Sequence, residues 1–331
     1  MRCGGRKLKA IVLIGGFGTR LRPITYSVPK QLIPIAGKAM LYHVLDMIPP
    51  DFEEIVLATG YKSEMIESYV RTHPFRIPIR SVPEAEPLGT GGGMKNAGEA
   101  MSDPFLLLNS DVIADVDLGA LLAAHGAHRG WGTMALAEVS DTRPYGVAAL
   151  DDNDRIIQFV EKPEPQDAPS HWINAGIAVW ARAVMDRIAT GVPSSFEREV
   201  VPGLLEHGVY GFRFSGFWDD AGTPERLLRS QQLLFDAGRG GRGALPRGSN
   251  GTGPVASAAG VTATGASFGP YVTLEDGVTV EPETHVENSI VMAGATIERG
   301  AQVRGSLLGP KSRVRAGHQV NAAIIGEAGE A

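Results

Sequence analysis

Short apolar runs recur along the first two thirds of the chain, separated by stretches with helical spacing. Leu8–Ile14 is apolar almost throughout and rich in branched residues, the pattern of a buried strand. Ile55–Thr59, Phe105–Leu108, Thr133–Val139 and Arg155–Val160 also read as strands. Lys62–Arg71 and Leu118–His125 carry helical patterns instead. Strands alternating with helices predict an α/β domain over residues 8–236, with a Rossmann-like mixed, mainly parallel sheet and helices on both faces. Ligands of such sheets bind beyond the carboxyl ends of the strands.

The pattern breaks at residues 237–253, which read AGRGGRGALPRGSNGTG. This stretch has too little apolar surface for a core element and predicts a flexible linker. A different period follows. Val291, Ile297 and Val303 are six apart, and Leu308, Val314 and Val320 repeat them 17 residues later, with Ile325 continuing from Leu308. Gly300 and Gly317, and Gly309 and Gly326, keep the same offset. Three six-residue sides per coil, each with one inward aliphatic, predict a short C-terminal left-handed β-helix over residues 254–331. It offers few catalytic side chains, so its expected role is packing, with a homo-oligomer as the expected assembly.

Composition narrows the partners. The 331 residues carry a net charge of -6, which gives no basic field for nucleic acid. No apolar run approaches the roughly 20 residues of a membrane span, so no membrane is expected and the expected compartment is cytoplasmic. Cys3 is the single cysteine and cannot form an internal disulfide. Asn250-Gly251-Thr252 fits a glycosylation sequon, without meaning in a chain that is not secreted.

The first strand runs into Gly15-Gly16-Phe17-Gly18-Thr19-Arg20, with Pro29-Lys30 starting nine residues past the arginine. Glycines there let the backbone turn and bring its N–H groups close to an anion. Arg20 and Lys30 add two cations, which points to a triphosphate site. It is neither a P-loop nor a dinucleotide fingerprint, since the third glycine position of the latter is Leu21.

Candidate carboxylates sit after later strands. Asp111 follows Leu106-Leu107-Leu108-Asn109-Ser110 directly and reads as a metal ligand or as a turn cap. Asp115 and Asp117 form a D-x-D, but Asp117 is better placed as the N-cap of the helix from Leu118. In Trp218-Asp219-Asp220-Ala221-Gly222-Thr223-Pro224, a turn before a proline-started helix would hold an aspartate rigidly. Lys162 with Glu161 and Asn174 offers a cation for a sugar phosphate and acceptors for its hydroxyls. Glu84 opens a glycine-rich stretch, Gly89-Thr90-Gly91-Gly92-Gly93, expected as a loop passing over a flat base. Histidines do not cluster at metal spacing, and no serine or cysteine triad signature appears.

Taken in order, GGFGTR with Pro29-Lys30, EPLGTGG, LNSD, YGV, FVEKP, INAG and FWDDAGTP resemble the signature of the sugar-1-phosphate nucleotidyltransferases, from Lys9 to about Ile325. EPLGTGGG, FVEKP and SSFEREVVP look most like mannose-1-phosphate guanylyltransferases, with glucose-1-phosphate thymidylyltransferases close behind. The resemblance implies in-line attack of a sugar 1-phosphate on the α-phosphorus of an NTP, with Mg²⁺ and without a protein nucleophile. It assigns Gly15, Gly16, Gly18 and Thr19 to the nucleotide, Arg20 and Lys30 to the triphosphate, and Lys162 to the sugar phosphate. Asp111 and Asp220 match the metal ligands, and Gly146, Glu161, Asn174 and Gly176 the sugar pocket. Glu84, Gly89 and Thr90 fall where relatives contact the base.

A carboxylate at Glu84 favours guanine, whose Watson–Crick edge presents two adjacent donors, whereas thymine or uracil would suit an amide. Two other classes stay open. A silent nucleotide-sugar-binding paralogue would bind without turnover, and a glycosyltransferase built on the D-x-D would release no pyrophosphate.

Overall fold

The computed structural model describes residues 7–241 and 245–331. Cys3 and residues 242–244 of the expected linker lie outside the described residues. The chain divides into two compact units: residues up to Gly16 with Val44–Trp218, and Phe17–His43 with Asp219–Ala331.

The first unit is built on a nine-stranded mixed sheet. Its strands are β1 (Lys9–Ile14), β2 (Glu54–Thr59), β3 (Ile79–Pro83), β4 (Phe105–Asn109), β5 (Gly132–Glu138), β6 (Gly146–Leu150), β7 (Ile156–Glu161), β8 (Trp172–Trp180) and β9 (Val209–Arg213). The order is β7-β6-β8-β4-β1-β2-β3, with β5 pairing both β8 and β9. Strands β4, β1, β2 and β3 are mutually parallel, as the buried aliphatic runs predict. Antiparallel pairs enter at β8, through β8 with β4 and β7 with β6, while β9 runs parallel to β5.

Register decides where the candidate residues go. The parallel strands deliver Gly15, Gly60, Glu84 and Ser110-Asp111 to one sheet edge. Ile177 pairs Leu108, so Asn174 and Gly176 of antiparallel β8 pass beyond that same edge. Ile173 then pairs Val147, and Gly146 pairs Glu161, which brings YGV and FVEKP alongside INAG. The sheet is clamped by a core running from Ile11 and Leu107 through Met134 to Trp180 and Phe196. Full burial of one such aliphatic or aromatic side chain contributes roughly 1.5–3 kcal/mol.

One expectation is overturned here. The stretch read as a loop over the base is in part a helix, Gly89–Ala97, with Gly91, Gly92 and Gly93 buried in it. Packing overrides the poor helix propensity of glycine. A Cβ on Gly91 would lie 2.5 Å from Ser194 Oγ, and one on Gly92 2.8 Å from the Val192 carbonyl. Only glycine lets this helix approach the 192–196 segment so closely.

In the second unit, Thr223 caps the helix Pro224–Asp236 by accepting from the Arg226 N–H, with proline in its first turn. Beyond it lie three ladders of short parallel strands, of five, five and three members, that form a β-helix. Leu274, Val291, Leu308 and Ile325 stack in register 17 apart and are buried in a common core with Val280, Ile297 and Val314. The first rung, Asn250–Gly251, already pairs Ser267–Phe268, inside the stretch expected as linker. No helix among the described residues is long and apolar enough to cross a membrane.

Candidate active site

In the first unit the sheet edge holds a small cleft lined by Asn109, Asn174, Gly176, Phe196 and Glu197 among others. Gly176 adopts φ 73, and a Cβ there would lie 2.8 Å from Asn109 Nδ2. The Gly176 N–H donates to Asn174 Oδ1 at 3.0 Å. The irregular pairing of β8 with β5 between Asn174 and Ala178 makes this turn possible.

Gly146 is equally constrained, because a Cβ would lie 2.8 Å from Glu161 Oε2 and overlap the Phe159 ring. Glu161 forms an ion pair with Lys162 at 3.6 Å, and the lysine side chain remains 56% exposed. Lys162 itself has φ 52, held by its N–H donating to the Tyr145 carbonyl at 2.9 Å. Burial, and secondarily the charge of Glu197, push the Glu161 carboxyl above its ordinary range. A partly buried carboxylate thus sits beside a cation that extends into solvent.

Glu84 lies at the start of the Gly89–Ala97 helix. Its Oε2 accepts from the Leu88 N–H at 3.0 Å, and a Cβ on Gly93 would overlap its Oε1. Partial burial raises its pKa above the usual carboxylate value. Gly89, with φ 69, packs against the Ser194 carbonyl. The Thr90 hydroxyl donates to Glu197 Oε2 at 2.6 Å and accepts from the Phe196 N–H at 2.9 Å. Thr90 therefore braces the wall of the cleft. Asp111 occupies the two-residue turn between β4 and the short strand Val112–Ala114, half-buried. Asp117, as expected, caps its helix by accepting from the Ala120 N–H at 2.9 Å.

In the second unit the phosphate-type turn is defined by Gly18, φ 60, whose Cβ would lie 2.9 Å from Thr25 Cγ2 and 3.5 Å from Lys30 Cβ. Thr25 Oγ1 donates to the Gly18 carbonyl at 2.8 Å. Thr19 and Arg20, both exposed, start the short turn Thr19–Leu21. A Cβ on Gly222 would lie 2.6 Å from the Arg20 guanidinium, so the DDAGTP turn leaves space for that arginine. The Gly222 N–H in turn donates to the Asp220 carbonyl at 2.7 Å. The glycine turn, Arg20, Lys30 and Asp220 are thus assembled together within this unit.

The two aspartates of that turn differ. The Asp219 side chain is fully buried, bonded by Arg226 Nε at 2.7 Å; Asp220 is partly exposed, with its Oδ1 2.5 Å from Arg226 Nη1. Burial lifts Asp219 to about 7, against the opposing charge of Arg229. Arg226 was not visible as a site residue in the sequence, and neither were Asn109 and Glu197. Asn109 stands in LNSD and Glu197 in SSFEREVVP, but Glu197 meets Thr90 across 107 positions, a separation that no local pattern reports.

Among the described residues no group of three or more His, Cys, Asp or Glu forms a metal-binding cluster. Magnesium held by one or two carboxylates plus substrate phosphates needs none. Asp111 in the first unit and Asp220 in the second each carry a hard oxygen donor of the kind such an ion takes.

Comparison with known proteins places this geometry. Residues 9–236 match the nucleotidyl transferase family model, and residues 252–330 match the GMPPB C-terminal domain. Mannose-1-phosphate guanylyltransferase of Mycobacterium tuberculosis is 37% identical over 87% of this chain and 80% of its own. A probable mannose-1-phosphate guanylyltransferase 1 of Oryza sativa is 34% identical over 87% and 82%. Among solved structures, HddC from Yersinia pseudotuberculosis complexed with GMP-PN superposes with a TM-score of 0.58 at 25% identity, covering 69% of this chain and 99% of that one. The chain belongs to the nucleotidyl transferase family.

Proposed function

We propose that this enzyme transfers GMP from GTP to mannose 1-phosphate, forming GDP-mannose and releasing pyrophosphate. The observation that carries the reading is the gathering of Gly146, Glu161, Lys162, Asn174 and Gly176 on the sheet edge that also receives Gly15, Glu84 and Asp111. The names of the relatives above support the substrate pair, and the GMP-PN of the HddC complex supports the base. A glucose-1-phosphate thymidylyltransferase is the second reading. The structure of a putative enzyme of that kind, from Bacillus anthracis, matches at 24% identity and so supports the fold alone.

A phosphate oxygen of the sugar substrate attacks the α-phosphorus, and the bond to the bridging oxygen of the departing pyrophosphate breaks. Two anions must meet, so catalysis is alignment and charge neutralisation. Arg20 and Lys30 hold the triphosphate beside the Gly15-Gly16 and Gly18 turn and Thr19. Lys162 holds the sugar phosphate, while Glu161 and Asn174 accept from the sugar hydroxyls beside Gly146 and Gly176. Asp111 and Asp220 would hold Mg²⁺, which when bound neutralises and orients phosphate oxygens.

Pyrophosphate release from GTP, dTTP, UTP and ATP, each with mannose and glucose 1-phosphate, tests the assignment. The highest rate is expected for GTP with mannose 1-phosphate; another winning pair overturns the substrates, and silence throughout overturns the enzyme. Glu84, with Gly89 and Thr90 behind it, is assigned to the base. The variant Glu84→Gln should lower the GTP-to-dTTP ratio of kcat/KM at least tenfold, because a mismatched base edge leaves polar groups unpaired. An unchanged ratio would leave Glu84 as a helix-start acceptor only.

A further inference from the structure

We propose that the β-helix is the platform that positions the triphosphate loop of this enzyme, with Gln231 as the positioning residue. The inference rests on the assignment of Arg20 and Lys30 to the triphosphate.

One ladder of the β-helix comprises Val255–Ser257, Val272–Leu274, Ser289–Val291, Leu307–Leu308 and Ile324–Ile325. Val272, Leu274, Val291 and Leu308 point into the coil, so strand alternation directs Ala256, Thr273, Ile290 and Leu307 outward. None of these four is more than 3% exposed. The outer face of this ladder is therefore covered, although an outer face normally meets water.

The 17–43 segment and the helix Pro224–Asp236 supply contacts along it. Gln231, fully buried on that helix, accepts from the Thr273 hydroxyl at 2.6 Å and donates to the Tyr271 carbonyl at 2.8 Å. The same Oε1 accepts from the Ala36 N–H at 3.2 Å. The Ala36 carbonyl accepts from the Gly241 N–H at 2.7 Å, so the turn is held on both sides of its peptide. Gly37 stands so close to the first rung that a Cβ would lie 2.9 Å from Ala256 Cβ. At the other end, a Cβ on Gly326, just past the last rung, would lie 3.0 Å from Pro23 Cγ.

The segment is thus anchored at Pro23 and at Ala36-Gly37. Lys30 lies between the anchors, and Arg20 three residues before the first. Replacing Gln231 with an apolar residue removes the acceptor of the buried Ala36 N–H and of the buried Thr273 hydroxyl. The turn that carries Lys30 then loses its register against the coil.

Steady-state kinetics on the full chain, with GTP, mannose 1-phosphate and Mg²⁺, test this. Gln231→Leu should raise KM for GTP at least fivefold and keep KM for mannose 1-phosphate within twofold. Thr273→Val, which removes one hydroxyl at constant volume, should move KM for GTP in the same direction by two- to threefold, and Thr273→Ser should restore it. If Gln231→Leu does not fold, the Thr273 pair decides alone. An unchanged KM for GTP in the folded variants, or an equal rise in both KM values, overturns the proposal. Arg20→Gln belongs in the same series, with an expected rise of tenfold or more in KM for GTP. Should that rise be absent, the triphosphate assignment fails rather than the platform alone.

Discussion

Asp220→Ala lowers kcat at least a hundredfold with Mg²⁺ saturating, read by pyrophosphate release. Loss of one preorganised group facing transition-state charge costs about 3 kcal/mol, the scale set by oxyanion-hole deletions. Asp220 is partly exposed, fixed through Oδ1 by Arg226, and sits two residues before the glycine that makes room for Arg20. Asp220→Asn, which keeps the shape and removes the charge, should lose nearly as much. Because Asp219 is fully buried and bonded to the same arginine, Asp219→Asn acts on folding first, and a thermal melt separates the two effects. Turnover of Asp220→Ala within threefold of the parent would remove Asp220 from the metal assignment.

Trp180→Ala destabilises the first unit by about 3–5 kcal/mol, the usual cost of emptying an aromatic core position. The ring is 1% exposed and stacks edge-on against Phe196, with centroids 5.1 Å apart. A Cβ on Gly132 would overlap it, so the neighbouring strand is already drawn in to contact and has little room to collapse further. Both aromatics line the cleft that contains Asn174 and Glu197. A urea midpoint should fall accordingly, and in the remaining folded fraction KM for the sugar phosphate should rise. A midpoint shift worth under 1 kcal/mol would mean that the cleft wall is not part of the core.

Much of this was legible because the chemistry lies at strand ends. Gly15-Gly16, Asp111 and Glu161-Lys162 each close an apolar run, and sheet register carries such positions to a common edge. The helix Gly89–Ala97 was not legible: glycine costs about 1 kcal/mol per residue in a helix relative to alanine, and contacts near Ser194 override that preference. The β-helix was legible from its aliphatic period after Val291. Val255, Val272 and Ser289 keep the same 17-residue offset upstream, with Ser267 pairing His285, 18 positions on, as a local exception. The sequence could not show that residues 17–43 pack with the C-terminal half. The bond from Ala36 to Gln231 spans 195 positions.

The two anchors of that segment have a consequence for the length of the protein. Five rungs about 4.8 Å apart put the first and the last about 19 Å from each other. Solenoids of this kind ordinarily gain or lose whole turns with little penalty, since each repeat contacts only its neighbours. Here Ala256 meets Gly37 at one end and Gly326 meets Pro23 at the other. The segment works as a ruler laid along the coil. Insertion or deletion of one 17-residue turn would preserve every inward aliphatic and still miss the second mark by a full layer, so the length of this segment sets the number of turns the coil can hold.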